Sequence, residues 1–169
     1  MHAQHDIVIV GGGLVGASLA IALENRGLDV AMLEAAPSGA LPPVFDERNL
    51  SLAEASCHAL QALRVWPLLH TASPIRRIHA TRSGDFGRVV LDAAETGREA
   101  FGHVVIARDF GQALETRLGD VASLTRYRPA RFIDTHLRED GGRELRIADA
   151  DGEHILATLR EFAGSRKQT

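Results

Sequence analysis

One stretch constrains this chain more than any other: residues 6–34, DIVIVGGGLVGASLAIALENRGLDVAMLE. It begins with Ile7-Val8-Ile9-Val10, a continuous apolar run of the kind that forms a strand buried on both faces of a parallel sheet. Gly11, Gly13 and Gly16 follow at G-x-G-x-x-G spacing and open a helix. The spacing gives each glycine a distinct role. Gly11 permits a tight strand-to-helix turn, Gly13 presents bare backbone to a pyrophosphate, and Gly16 allows close helix–strand packing. Gly12 lies inside the turn and Val15 in the first helical turn, so both border the phosphates. The helix N-terminus adds unpaired N–H groups and the positive end of its dipole. Gly27 is placed to stop that helix. A second apolar run, residues 30–33, ends in Glu34, a carboxylate able to accept hydrogen bonds from adenosine ribose hydroxyls.

This order of strand, glycines, helix, stop, strand and acid predicts a βαβ dinucleotide site. Glu34 opposes a ribose carrying a 2′-phosphate, because two negative groups would repel, and Ala35 and Ala36 supply no arginine to neutralise one. FAD and NAD both remain open on the fingerprint alone.

The rest of the chain narrows the class by exclusion. Its 169 residues, 45% hydrophobic and 24% charged, suit one soluble domain with a core. A net charge of -3 with dispersed Lys and Arg gives no footprint for nucleic acid. No apolar run is long enough for a membrane span, and no signal peptide precedes the first strand. The single cysteine, Cys57, excludes an internal disulfide and reads as a small buried helical side chain. The eight histidines show no metal-ligand spacing, so no metal is expected. A cytoplasmic location follows.

Along the chain, residues 35–43 read as a turn-rich loop and residues 50–63 as a helix. Arg48 precedes that helix, with two open roles: its fork reaches flavin or phosphate oxygens, or it pairs at the surface with Asp46 or Glu47. Trp66 and Pro67 read as core and turn. Residues 75–83 and 89–91 form a hairpin through the turn Gly84-Asp85-Phe86-Gly87. Residues 92–102 read as a loop, 104–106 as a strand and 109–118 as a helix. Residues 131–137, 144–148 and 154–159 alternate as antiparallel strands, joined at Asp140-Gly141-Gly142 and Asp151-Gly152. The fold class is therefore α/β, a Rossmann-like βαβ domain with an antiparallel strand insertion. Residues 1–159 form the domain portion, and residues 160–169, REFAGSRKQT, a frayed tail.

Five segments occur in an order that carries a family likeness: DIVIVGGGLVGASLA, FDERNLSLA, LRVWPLL, PIRRIHATRSGDFG and LDAAETGREAFGHVVIARDFGQAL. The chain resembles the flavin-dependent hydroxylases of ubiquinone biosynthesis, the 2-octaprenyl-6-methoxyphenol hydroxylase-like group of the class A flavoprotein monooxygenases, as far as about Phe132. The resemblance implies FAD bound at Gly11, Gly13, Gly16 and Glu34. It also matches Arg48 to an arginine that reaches the flavin, while Ala107, beside Arg108, fills the slot of another flavin contact. NAD(P)H is then the reductant and a polyprenyl phenol the substrate, with peripheral association at the inner face of the membrane or with a biosynthetic complex. No acid–base residue is singled out.

The likeness also implies an incomplete fold. Family members are more than twice as long and continue into an Asp-Gly motif and a Gly-Asp motif. Residues 162–166 stand where the first is expected without its aspartate. The expectation is an N-terminal fragment, or a reading frame disrupted near Leu159, that is inactive alone and prone to self-association through uncovered apolar surface. Two other readings stay open: an FAD- or NAD-dependent oxidoreductase of another family sharing the fingerprint, and a non-catalytic dinucleotide-binding remnant.

Overall fold

A computed structural model of the chain describes residues 3–42, 45–84, 86–139 and 141–158. Its first half runs β1 (Ala3–His5), β2 (Ile7–Val10), α1 (Leu14–Ala22), β3 (Val30–Leu33), β4 (Asn49–Ala53), α2 (Glu54–Ala62), β5 (Ser73–Pro74), β6 (Arg77–Ala80) and β7 (Val89–Asp92). Then follow β8 (Gly102–Ile106), α3 (Ala107–Gly119), β9 (Leu124–Tyr127), β10 (Arg131–Leu137), β11 (Arg143–Asp149) and β12 (Gly152–Thr158).

The fingerprint strands pair in parallel, with Ile7 opposite Val30 and Val10 opposite Leu33. On the other side of β3, β9 adds a third parallel strand, with Val30 opposite Leu124. Alternate residues of this sheet feed two different cores. Ile7, Ile9, Val30 and Met32 join Ala17 and Ile21 of α1, Phe110 and Leu114 of α3, and Val105 of β8. Val8, Ala31 and Leu33 turn the opposite way and pack on Leu145, Ile147 and Leu156 of the β10–β12 meander. A sheet covered on both faces needs apolar residues at every position, which is why β2 and β3 read as unbroken hydrophobic runs.

The antiparallel insertion forms as expected, with β10 to β11 to β12 joined in sequence. Strand periodicity alone does not anticipate that β1 pairs in parallel with β12, tying the N-terminus to the end of the meander. His5, buried, spans the junction: its ring nitrogens lie 3.1 Å from Asp29 Oδ1 and 2.9 Å from the Tyr127 hydroxyl. Burial, reinforced by the negative charge of Asp29, raises the Tyr127 phenol above its ordinary value.

Several boundaries differ from expectation for identifiable reasons. Residues 49–53 are strand, paired antiparallel with β8, and the helix begins only at Glu54. Leu50 and Leu52 are half-buried while Ser51 between them is exposed, a period of two that merges into the helical spacing of Cys57 and Leu60. The helix stop expected at Gly27 falls earlier, since α1 ends at Ala22. The hairpin forms, but β6 is shorter than residues 75–83. Ile75 instead exchanges backbone hydrogen bonds with Phe101 and Gly102, of 2.9 and 2.8 Å. Strand β9 escapes a reading by pattern because LTRY lacks the apolar run of its neighbours. Pro43, Asp85, Asp140, Leu159 and the tail 160–169 lie outside the described residues.

Helix α3 is fastened to the body by buried charge. Asp109 Oδ2 accepts the N–H groups of His70 and Thr71, both at 2.9 Å, and the Thr71 hydroxyl at 2.8 Å. Burial pushes its carboxyl upward, but these donors outweigh burial and hold it below the ordinary value of 3.8. Arg117, also buried, donates from Nε to the Leu63 carbonyl at 3.1 Å and pairs with Glu24 beyond α1. Cys57 is buried in α2 with its thiol raised by burial, 3.7 Å from His103 Nδ1.

Candidate dinucleotide site

The site is built where β2 turns into α1. Gly11 takes φ +98°, a backbone conformation open to glycine and strained for other residues, and its N–H donates to Leu33 O of β3 at 2.9 Å. Gly13 is the N-cap of α1, in extended geometry at φ −72° and ψ −168°, and its carbonyl accepts the Ala17 N–H at 2.9 Å. Gly16 brings the helix against the turn: a Cβ there would sit 1.9 Å from Gly11 O and 3.1 Å from Ile9 Cγ2. The roles expected of the first and third glycines are thus visible in the geometry.

Glu34, at the end of β3, is 8% exposed. Its Oε2 accepts the Gly12 N–H at 2.8 Å and its Oε1 the Ala36 N–H at 2.7 Å. A carboxylate offers about four lone-pair positions, so two hydrogen bonds leave room for two hydroxyl donors. Gly12 is also a close approach, since a Cβ there would lie 3.0 Å from Glu34 Oε2. The carboxylate and the phosphate turn are therefore one unit, joined by the Gly12 amide.

The residues fit a pyrophosphate-bearing cofactor. The first turn of α1 carries no acidic residue and no side-chain cap, so its own N–H groups are left for an anion, and the Glu34 carboxylate takes only the Gly12 amide before it. Val15 is 76% exposed on that same turn. Among the described residues no group of three or more His, Cys, Asp or Glu could hold a metal.

Arg48 lies immediately before β4. Its exposed side chain donates from Nε to Asp46 Oδ1 at 2.8 Å, and its N–H reaches the same oxygen at 3.0 Å. The Arg48 guanidinium is the main reason that the Asp46 carboxyl lies below its ordinary value. Arg108, exposed, pairs with Glu47 at 2.8 Å. Residues 46–48 and the start of α3 are joined through the main chain, Arg108 N to Asp46 O at 2.8 Å and Ala107 N to Arg48 O at 2.9 Å.

Sequence pattern gives no sign of the group that holds the segment after Glu34. Arg128, its side chain buried, donates from Nε to Ala36 O at 2.9 Å and also reaches Ala40 O. No residue spacing marks it, because it is far from the fingerprint in sequence and acts on main-chain carbonyls.

A parallel βαβ unit with a glycine turn under a helix N-terminus and a buried acid on the next strand defines a dinucleotide-binding α/β protein. The chain belongs to the FAD dependent oxidoreductase family, DAO, whose description matches residues 6–140. FAD is the cofactor of that family, which decides between the two dinucleotides left open by the fingerprint. Ubiquinone hydroxylase UbiL of Rhodospirillum rubrum is 33% identical over 165 residues, covering 96% of this chain and 37% of that protein. The 3-demethoxyubiquinol 3-hydroxylase of Escherichia coli K12 is 31% identical, covering 94% of this chain and 44% of that protein. The chain thus spans less than half the length of either relative.

Solved structures agree on the fold at low identity. The p-nitrophenol 4-monooxygenase PnpA of Pseudomonas putida DLL-E4 superposes with a TM-score of 0.74 at 17% identity, over 94% of this chain and 40% of that one. The flavin-dependent monooxygenase PieE, solved with FAD and substrate, superposes with a TM-score of 0.70 at 16% identity, over 92% of this chain and 29% of that one. No helix among the described residues is long and apolar enough to cross a membrane.

Proposed function

We propose that this chain carries the adenosine-diphosphate-binding part of an FAD-dependent hydroxylase that acts on a polyprenylated phenol in ubiquinone biosynthesis, with NAD(P)H as reductant. The observation that carries the cofactor half of this reading is the Gly12–Glu34 hydrogen bond of 2.8 Å at the mouth of α1. It joins a carboxylate able to accept ribose hydroxyls to a glycine turn at a helix N-terminus, an arrangement that supports binding of an adenosine diphosphate. The substrate half is supported by what the two ubiquinone-pathway relatives are named for.

FAD, when bound, supplies the redox and oxygen chemistry of hydroxylation. The chain's own residues bind and orient. The N–H groups of Gly13 and of the first turn of α1 hold the pyrophosphate against the bare backbone of the glycine turn, with Val15 covering it. Glu34 accepts the ribose hydroxyls. Arg48 turns its fork from Asp46 toward the flavin, which bidentate geometry permits and a point charge does not. Association with a membrane surface, where a polyprenyl tail partitions, belongs to the same proposal.

The test is calorimetric titration of the chain with ADP and with FAD, alongside Gly13→Val. The φ of −72° at Gly13 is open to valine, and circular dichroism checks that the variant keeps its fold. The added branches occupy the phosphate position, and ADP binding is lost. Undiminished ADP binding by Gly13→Val would remove the pyrophosphate from this turn.

A further inference from the structure

We propose that Arg128 is a positioning residue for the ribose-binding carboxylate: by holding Ala36 from its carbonyl side, it fixes the orientation of Glu34 and so sets the preference for an intact ribose. The inference rests on Glu34 being the ribose acceptor.

Ala36 is gripped from both ends. Its N–H donates to Glu34 Oε1 at 2.7 Å, and its carbonyl accepts Arg128 Nε at 2.9 Å. A second arm of the same guanidinium reaches Ala40 O, so residues 36–40 lie across the planar fork. The third arm, Nη1, meets Glu115 Oε1 of α3 at 2.9 Å, and Arg126 pairs with that same carboxylate. The Arg128 side chain is only 6% exposed. The main chain of Glu34 is fixed from the same segment: its N–H donates to Tyr127 O at 3.0 Å and its carbonyl accepts the Ala130 N–H at 2.8 Å.

These contacts form a chain of restraint from α3 through Arg128 and Ala36 to Glu34. The two oxygens of Glu34 are held separately, Oε2 by Gly12 and Oε1 by Ala36. With both anchors in place the carboxylate has one rotation about its terminal bond, and its remaining lone pairs point in set directions. Release of Ala36 leaves a single anchor at Oε2, and the carboxylate can then reorient as a whole, since the terminal torsion of a glutamate is soft. An arginine is required because three acceptors must be met at once in a plane. Lysine presents its donors from a single atom and cannot span Ala36, Ala40 and Glu115 together.

A residue that acts through another leaves a specific signature. Charge-assisted hydrogen bonds from ribose hydroxyls to Glu34 make ADP bind on the order of tenfold or more tighter than 2′-deoxy-ADP or 3′-deoxy-ADP. In Arg128→Lys that ratio falls to within about twofold, because a misdirected acceptor no longer distinguishes the hydroxyls. Arg117→Lys is the control: Arg117 is equally buried and also bonds a carbonyl and a carboxylate, but it ties Leu63 and Glu24 rather than Ala36. That variant loses thermal stability and keeps the wild-type ratio. Glu115→Gln, which loosens Arg128 from α3 without removing it, lowers the ratio by a smaller factor and serves if Arg128→Lys does not fold.

The experiment is isothermal titration of the wild-type chain and these variants with ADP, 2′-deoxy-ADP and 3′-deoxy-ADP, together with amide exchange of Ala36 by NMR. The expected result is loss of the ratio and of Ala36 protection in Arg128→Lys and not in Arg117→Lys. A wild-type chain that discriminates, with Arg128→Lys discriminating equally and Ala36 still protected, overturns the positioning role alone. A wild-type chain that binds all three equally, or none, overturns the ribose role of Glu34 and this inference with it.

Discussion

Replacing Gly16 with alanine separates the packing role of the third glycine from its helix propensity. The new Cβ would lie 1.9 Å from Gly11 O, and a carbon at such a position needs at least 3.0 Å. The helix must therefore move about 1.1 Å away from the turn, and the obstacle is a main-chain carbonyl rather than a flexible side chain. Overpacking of a rigid contact costs about 3 kcal/mol, while alanine for glycine within a helix returns up to about 1 kcal/mol. The net effect is a destabilisation of about 2 kcal/mol, a large share of the roughly 5–15 kcal/mol typical of a domain. Gly119→Ala in α3 is the matched control, since nothing lies within 4 Å of its Cβ. There the propensity difference acts alone, and stability stays level or rises by up to about 1 kcal/mol. Urea denaturation at constant m-value measures both. Equal midpoints for Gly16→Ala and the wild type would refute the contact, and with it the reason for a glycine at that position.

Two further changes test residues outside the turn. Arg48→Lys is expected to weaken FAD binding several-fold while leaving ADP binding unchanged, because the proposed contact is to the flavin end. Equal affinities for FAD in both proteins would leave Arg48 as the exposed partner of Asp46, a pairing that contributes little. The folded-state value of Asp109 lies below its ordinary 3.8, so its stabilisation is complete above that value and is withdrawn as pH falls through the lower folded one. Urea stability of the wild type should therefore decline more steeply than that of Asp109→Asn as pH is lowered below about 4, with the variant weaker by about 1–2 kcal/mol at neutral pH. Parallel pH profiles for the two would remove Asp109 from acid sensitivity.

What the sequence made legible is whatever is enforced locally. The β2–turn–α1–β3 unit is written in consecutive residues because each glycine and each apolar side chain acts on neighbours within a few positions. The meander was readable for the same reason, since Gly141 and Gly152 turn the chain where alternating strands meet. Pairings between distant segments left no such trace. Leu50 and Leu52 read as helix because two of their neighbours coincide with a period near four, and only the partner strand β8 shows that the period is two. Strand β9 is polar by composition, and its place beside β3 depends on Val30 facing Leu124 from a distant part of the chain. In the candidate site the same division holds. Gly11, Gly12, Gly13, Gly16 and Glu34 were legible from spacing, whereas Arg128 reaches main-chain oxygens that carry no sequence signature.

The site divides its charges in a way that accounts for the cofactor class. In the proposed binding mode the phosphates would face a helix end whose first turn carries no acidic residue, while Glu34, the buried acid of the unit, would meet the ribose and is held by two amides. Amide donors keep the carboxylate in place without cancelling its charge, so its field still acts on whatever approaches. A neutral diol gains two acceptors there. In that mode a ribose 2′-phosphate would meet this negative charge in a partly buried setting where repulsion is weakly screened. Arg128 does not relieve this, since its guanidinium is already bound to two carbonyls and the Glu115 carboxylate. The arginine therefore acts as a brace rather than as a counter-ion. That separation lets one buried carboxylate favour an unphosphorylated adenosine, as in FAD, while a buried positive charge lies just across Ala36 from it.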